Sequence, residues 1–280
     1  MRFTIYTTCF NAGPKLNKTI QSVLNQTYVD YEIIIKDGKS TDGCVDDLLQ
    51  DPEVTAAVAS GKLRLMVEED EGVYDGMNQA LSWIKGDYVI FMNCGDSFFD
   101  ENVLLKTSAH IESERSVSGE DEKEADILYG DVYCENRKAL DSAPRVIDGF
   151  TCYRNIPCHQ ACFYKRELFA EKRYDTDLKI RADYDHFLWC VYKAHAKTEY
   201  VGFTVASYEG DGISETGQNE KLDWQEHALV VKRYMSESEI RSYKTKMALT
   251  LLPLRKKMAK SKVFSGVYSA IKNAVYRQEK

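Results

Sequence analysis

Four stretches in the first hundred residues are short, apolar and rich in β-branched and aromatic side chains: "FTIYTT" (3–8), "EIIIKD" (32–37), "KLRLMVE" (62–68) and "DYVIFMN" (87–93). Between them the apolar positions change period. Leu16, Ile20, Val23 and Leu24, and later Met77, Ala80, Leu81 and Ile84, recur at the spacing that gathers them on one helical face. Strands and helices alternating at this spacing predict a largely parallel sheet covered by helices, the layout of a doubly wound α/β domain. Past residue 100 the pattern predicts further strands in "DILYGDVY" (126–133) and "HQACFYK" (159–165), and a buried helix in "DYDHFLWCVYKA" (183–194) with two aspartates in its first turn. The stretch 112–126, "ESERSVSGEDEKEAD", has almost no large apolar residue and reads as a solvated loop or a helix end. After Gly217 the chain is expected to be mostly helical, and no internal repeat is present.

In sheets of this kind ligands bind beyond the carboxyl ends of the strands. The first strand ends in Thr7 and Thr8 with Asn11 just after, the second in Asp37, the third in Glu69 and Asp70, and the fourth in Asn93 and Asp96. Any one of these can be a turn former or a helix cap. Polar groups at all four ends of one edge point instead to a site. Gly95 permits close backbone approach beside Asp96, whose carboxylate is expected to be exposed for a purpose other than packing.

Composition narrows what the site can do. The eight cysteines are scattered without a C-x-x-C pair and no N-terminal signal peptide is evident, so a reduced, cytoplasmic setting and buried apolar cysteines are expected. No apolar run approaches the roughly 20 residues that span a bilayer. The net charge of −7 hides an asymmetry: from Arg241 onward eleven Lys or Arg face one acid, Glu279, which puts about +10 on the tail and about −17 on the rest. So acidic a body argues against nucleic acid as a partner. Gly61-Lys62 is followed by Leu63, Gly38-Lys39-Ser40 has Ile33 where a G-x-x-x-x-G-K-[ST] loop needs its first glycine, and there is no G-x-G-x-x-G, so ATP hydrolysis and hydride transfer lose support. A diphosphate at this edge then calls for a divalent cation held by a carboxylate, and Asp96 is placed to hold it.

The blocks "TTCFNAGPKLNKTIQSVLNQTYVDYEIIIKDGKSTDG", "EEDEGVYDGMNQALSWIKGDYVIFMNCGDSF", "IPCHQACFYKRELF" and "ADYDHFLW" occur in this order. Together, over about residues 1–215, they resemble the family 2 glycosyltransferases of the GT-A fold, especially those that build bacterial surface polysaccharides. The resemblance implies that Thr8 and Asn11 lie by the nucleotide, that Asp37 reads the base or ribose, and that Asp70 contacts the nucleoside or donor sugar. It implies that Asp96 is the metal-binding member of the family's acidic triplet, with Asn93 beside it at the nucleotide-sugar and Mg2+ or Mn2+ as cofactor. It matches Asp183 to the aspartate that activates the acceptor, and His159 and Gln160 to a pair near the donor diphosphate or the acceptor. Asp37 can equally be a turn former before Gly38, Asp183 a carboxylate answering a helix dipole, and His159 a satisfied core histidine.

Asn93 and Gly95 stand where many relatives carry acids, leaving one strong metal ligand, and Ala182 precedes Asp183 where many have Glu. Asp183 and Asp185 lie about 200° apart on a helix and cannot share a role; Asp183 is the expected base. The chemistry implied is inverting transfer. Asp183 takes the proton of an acceptor hydroxyl that attacks the anomeric carbon, with no covalent enzyme intermediate. A sugar nucleotidyltransferase is the alternative enzyme, but "TTCFNAGPKLNK" lacks its glycine-rich basic loop; a non-catalytic scaffold is the other alternative. The division expected is a transferase domain over 1–215, with a nucleotide-sugar half to about residue 100 and an acceptor half from 101, followed by a basic helical extension over 216–280. In that extension Val263, Phe264, Val267, Ile271, Ala274 and Val275 recur at helical spacing beside Lys260, Lys262, Lys272 and Arg277. Such a helix suits the anionic inner face of a membrane, near a lipid-linked saccharide acceptor, or docking on its own domain.

Overall fold

The computed structural model describes residues 1–118, 124–210 and 219–249. The strands are β1 (Phe3–Cys9), β2 (Tyr31–Asp37), β3 (Leu63–Val67), β4 (Tyr88–Phe91), β5 (Ser97–Phe98), β6 (Ile127–Cys134), β7 (Ala139–Asp141), β8 (Cys162–Lys165) and β9 (Thr198–Tyr208). The helices are α1 (Pro14–Leu24), α2 (Cys44–Leu49), α3 (Pro52–Ala59), α4 (Val73–Gln79), α5 (Val103–Ser118), α6 (Gly149–Arg154), α7 (Glu167–Glu171), α8 (Ala182–Tyr192), α9 (Glu220–Tyr234) and α10 (Glu237–Leu249). All strands join one sheet in the order β3-β2-β1-β4-β8-β6-β9-β5, with β7 paired to β6. The first four are parallel; β8 runs against both β4 and β6, and β6 and β9 are again parallel.

Both faces of this sheet are covered, which explains the continuous apolar runs of β1 and β2. Phe3, Ile5, Ile33 and Ile35 pack with Leu16, Ile20 and Val23 of α1 on one face. Tyr6, Ile34, Val89 and Phe91 pack with Met77 of α4 and Phe187 of α8 on the other. Two charged residues inside β2 are paired where they are buried. Glu32 accepts from the Thr4 hydroxyl at 2.7 Å and meets Arg64 at 2.5 Å. Lys36, with no exposed surface, donates to Asp70 at 2.7 Å and to the Glu68 carbonyl at 2.7 Å.

The predicted doubly wound sheet is therefore present, with local differences. "HQACFYK" becomes a strand only from Cys162, because His159–Ala161 forms a single 3-10 turn. The helix expected through Ile84 ends at Gln79 and gives way to a 3-10 turn at Leu81–Trp83, yet Met77, Ala80, Leu81 and Ile84 are all buried as their spacing implied. The low-complexity stretch from residue 112 begins as the end of α5. Six of the eight cysteines are buried and all are free thiols. The part of the basic tail that holds Val263 and Phe264 lies outside the described residues. Helix α9, within the helical extension expected over 216–280, buries Val230 and Val231 in the same cluster as Tyr6 and Phe187. No helix among the described residues is long and apolar enough to cross a membrane.

His186 in α8 is stacked on Phe169 with ring centroids 4.2 Å apart and is essentially inaccessible. Burial, helped by the nearby Lys172 charge, pushes its pKa down to about 3. The native state therefore refuses a proton that the unfolded chain takes up near pH 6.5, so stability falls as pH drops from about 6.5 towards about 3. Urea unfolding across this range should show a stability-versus-pH slope shallower by about 1.4 kcal/mol per pH unit in His186→Gln than in the wild type. Parallel slopes would mean that His186 does not titrate this way.

Candidate active site

The carboxyl ends of β1 and β4 open into a cavity of about 600 Å³, closed by the loop 155–160, the segment 179–184 at the start of α8, and residues 208–210 after β9. Its floor is built by a turn. After β4 the chain reverses through Asn93–Asp96, with Gly95 at φ +101°, a conformation that L side chains rarely adopt. Thr19 of α1, fully buried, holds this turn: its hydroxyl donates to the Asp96 carbonyl at 2.7 Å and accepts from Gly95 N–H at 3.0 Å. The Asp96 side chain then faces the cavity. It is not the exposed carboxylate expected. Burial, with added repulsion from Glu209 and Glu135 and a partial offset from Lys18, pushes its pKa up to about 7.

Thr8, Asp70, Asn93, His159, Gln160 and Asp183 line the same cavity, as the sequence suggested. Asp70 reaches it on the ammonium of the buried Lys36 and also accepts from Gly72 N–H at 3.2 Å. Gly38 makes room for it, since a Cβ there would lie 2.7 Å from the Asp70 carboxylate. Asn11 and Asp37 are not in the cavity wall. Asp37 is buried and accepts from Ser40 N–H at 3.0 Å and the Ser40 hydroxyl at 2.5 Å, while Asn11 accepts from Thr41 N–H at 2.8 Å. Both hold the loop after β2, so the turn-former alternative describes the Asp37 geometry.

The two aspartates of α8 separate as their spacing requires. Asp185 points into the core, where Lys172 (2.5 Å), Arg233 (2.9 Å) and the Tyr234 hydroxyl (3.0 Å) surround its fully buried carboxylate. Asp183 points into the cavity, with the Tyr74 hydroxyl 3.0 Å from Oδ1 and His159 Nδ1 3.7 Å from Oδ2. The backbone leading to it is fixed from α9: Glu226 accepts from the N–H groups of Lys179, Ile180 and Arg181 at 2.8–2.9 Å, and Asp223 pairs with the Arg181 guanidinium at 2.6 Å.

Several cavity residues were not singled out from sequence. Phe10 is 65% exposed at the rim. Lys15, Lys179 and Arg181 bring positive charge that the strand-end reading did not find. Lys15 pairs with Glu209, and Lys18 with Glu135 at 2.9 Å, beneath the Asp96 turn. Lys15 lay in plain sight in "NAGPKLNK", but only the fold brings Glu209 to it from 194 residues away.

Known proteins give this cavity its context. The family model for glycosyl transferase family 2 matches residues 4–134. A "PGL/p-HBAD biosynthesis glycosyltransferase" of Mycobacterium bovis is 31% identical over 216 residues, covering 76% of this chain and 79% of that protein. The chain belongs to glycosyltransferase family 2. Solved structures agree on the fold. Residues 1–349 of S. aureus TarS, in complex with UDP-GlcNAc, superpose with a TM-score of 0.62 at 13% identity, covering 88% of this glycosyltransferase and 72% of TarS 1–349. The mannosyltransferase PcManGT from Pyrobaculum calidifontis, in complex with GDP-Man and Mn2+, gives 0.55 at 15% identity, covering 99% and 88%. The expected GT-A fold is thus the fold of this family 2 glycosyltransferase.

Asp96 forms no salt bridge among the described residues, and its raised pKa marks a surrounding that favours added positive charge. A carboxylate without a salt bridge on the wall of a roomy cavity suits a hard divalent cation that keeps waters and shares phosphate oxygens. A second cluster, His110, Glu114 and Glu199, brings three donor atoms within 4.8 Å of one another. It lies near the start of β9, at the other end of that strand from the cavity, and none of its members lines the cavity.

The contrast between the two aspartates can be measured by denaturation. Asp185→Asn leaves Lys172 and Arg233 facing a neutral amide and should cost about 3 kcal/mol, the low end for a broken buried pair because both cations keep some water contact. Asp183→Asn should cost less than about 1 kcal/mol. Equal losses would contradict the division between a structural and a cavity-facing carboxylate.

Proposed function

We propose that this glycosyltransferase inverts the anomeric centre of a nucleoside-diphosphate sugar, passing the sugar to a hydroxyl of a lipid-linked saccharide in surface-glycan synthesis, with Mg2+ or Mn2+ at Asp96. One observation carries the reading: a cation-suited carboxylate, Asp96, and an oriented carboxylate with solvent access, Asp183, share a single cavity. Phe10 offers the base an exposed aromatic face at the rim. Asp70 stands beside it, 2.7 Å from the position of a Gly38 Cβ, ready to accept from a ribose hydroxyl. Lys15 exchanges Glu209 for a phosphate, and Arg181 and Lys179 add positive charge to the wall near Asp183.

Asp183 acts as the general base. It needs an ionised carboxylate within reach of an incoming hydroxyl, and Tyr74 and His159 hold its two oxygens while leaving access from the cavity. A divalent cation bound at Asp96 supplies charge neutralisation for the departing nucleoside diphosphate. Asp96 itself contributes the fixed anion that keeps such an ion at the floor of the cavity. The lipid-linked acceptor rests on the basic tail, which would bring the site to the inner face of the membrane.

The experiment is incubation with UDP-GlcNAc, GDP-mannose and related donors, scoring release of nucleoside diphosphate. Release by the wild type is expected. Formation of nucleoside triphosphate and sugar 1-phosphate only when pyrophosphate is added would instead indicate a nucleotidyltransferase, and no turnover of any donor would indicate a scaffold. With the donor that turns over, Asp183→Asn should lower transfer by about 10² or more while donor affinity stays within about threefold. Asp96→Asn should abolish the Mn2+ dependence of UDP binding measured by calorimetry. Retained Mn2+ dependence would remove Asp96 from the metal role.

A further inference from the structure

Three polar side chains run from the ends of β1 and β4 to the start of α8. Thr8 Oγ1 lies 3.1 Å from Asn93 Oδ1, Asn93 Nδ2 lies 3.0 Å from His159 Nε2, and His159 Nδ1 lies 3.7 Å from Asp183 Oδ2. The row has only two self-consistent proton arrangements for a neutral ring. With the Asn93 NH2 towards the ring, Nε2 must accept, so the ring proton sits on Nδ1 and points at the Asp183 carboxylate. With the amide reversed, Nε2 must donate to Oδ1, and the bare lone pair of Nδ1 faces an anion.

The second arrangement sets like against like in a cavity wall, where water screens it poorly. The Thr8 hydroxyl can donate or accept and so fits either amide orientation. The carboxylate decides. A doubly protonated ring would also satisfy Asp183, but burial lowers the His159 pKa despite the attraction of that carboxylate. The neutral Nδ1–H form is what remains.

We propose that His159 is a positioning residue whose tautomer is set by Asn93, and whose Nδ1–H, together with the Tyr74 hydroxyl, aims the Asp183 carboxylate at the acceptor. The proposal rests on reading Asp183 as the general base. Each oxygen of Asp183 then has one donor, Tyr74 on Oδ1 and His159 on Oδ2. The 3.7 Å separation is longer than a hydrogen bond, so the N–H orients the carboxylate through its dipole. Contacts of this kind commonly tighten once substrate is in place. The arrangement also explains why residue 93 works as an amide: an aspartate there could not donate to Nε2 and would pull the ring proton towards itself, away from the base.

Nitrogen-15 NMR of the full-length, histidine-labelled protein at pH 7.5 reads the tautomer without any substrate. His159 should show a protonated Nδ1 and a bare Nε2. Its Nδ1 resonance should move in Asp183→Asn, and the ring should shift towards the Nε2–H form in Asn93→Asp. A ring that is Nε2-protonated or doubly protonated in the wild type, or a Nδ1 resonance unmoved in Asp183→Asn, would overturn the proposal. Kinetics with the active donor then separates positioning from structural support. His159→Ala should lower kcat by about tenfold or more with little change in donor KM. His159→Asn, whose amide nitrogen reaches the Nδ1 position, should recover most of the loss, whereas His159→Gln, which reaches the Nε2 position, should not. Equal recovery by both, or loss confined to KM, would contradict it. If the NMR results hold but Asp183→Asn transfers normally, the base assignment of Asp183 has failed and not the tautomer.

Discussion

The geometry of the acceptor side depends on where Asp185 goes. Its carboxylate is fully buried among Lys172, Arg233 and Tyr234, contributed by the end of α7 and by α9. A buried anion with charged partners on two sides cannot leave its place without stranding them. This pins the rotation of α8 about its axis. With the rotation fixed, Asp183, two positions earlier, must point the other way, into the cavity. Glu226 completes the constraint by holding three successive backbone N–H groups just ahead of the helix. Both anchors, Arg233 and Glu226, come from α9, so a helix beyond the matched family segment sets the direction of a residue near the chemistry.

The donor side is constrained differently. There the backbone carries the precision: one buried hydroxyl, that of Thr19, closes the turn Asn93–Asp96, and Gly95 takes a backbone conformation closed to most residues. Among the described residues Asp96 is held at the floor without a salt bridge of its own, while Lys15 and Lys18 occupy Glu209 and Glu135 close by. The two sides meet through Asn93 and His159. A residue at the end of the central parallel strands is thereby in contact, through one imidazole, with the N-terminal turn of a helix some ninety residues further along the chain.

Much of this was legible beforehand, for stated physical reasons. Continuous apolar runs and faces of period 3.6 report burial, and burial on both faces of β1 and β2 is what a doubly wound sheet imposes. The separation of Asp183 from Asp185 followed from helical geometry alone. What periodicity does not carry is partner identity at long range. Asp37 read as a ligand group because it ends a strand, yet its oxygens are taken by Ser40, three residues on, a local preference that competes with any ligand. Asp96 read as exposed because its neighbours are small and polar, but the packing of α1 and of Glu209 around the turn buries it enough to raise its pKa. Glu226 and Thr19 gave no signal at all. Each is a polar residue in a helix, and only the fold shows that it is buried and against what.

The central claim is that one cavity holds both the cation and the reacting groups, with the cation on Asp96. A crystal grown with UDP and Mn2+ tests it directly, through the anomalous difference signal of manganese. The account predicts a peak against the Asp96 carboxylate, with the diphosphate on the same ion and within the cavity that Asp183 faces. A peak at His110, Glu114 and Glu199 with none at Asp96, or a UDP bound in the cavity without an ion, would contradict it.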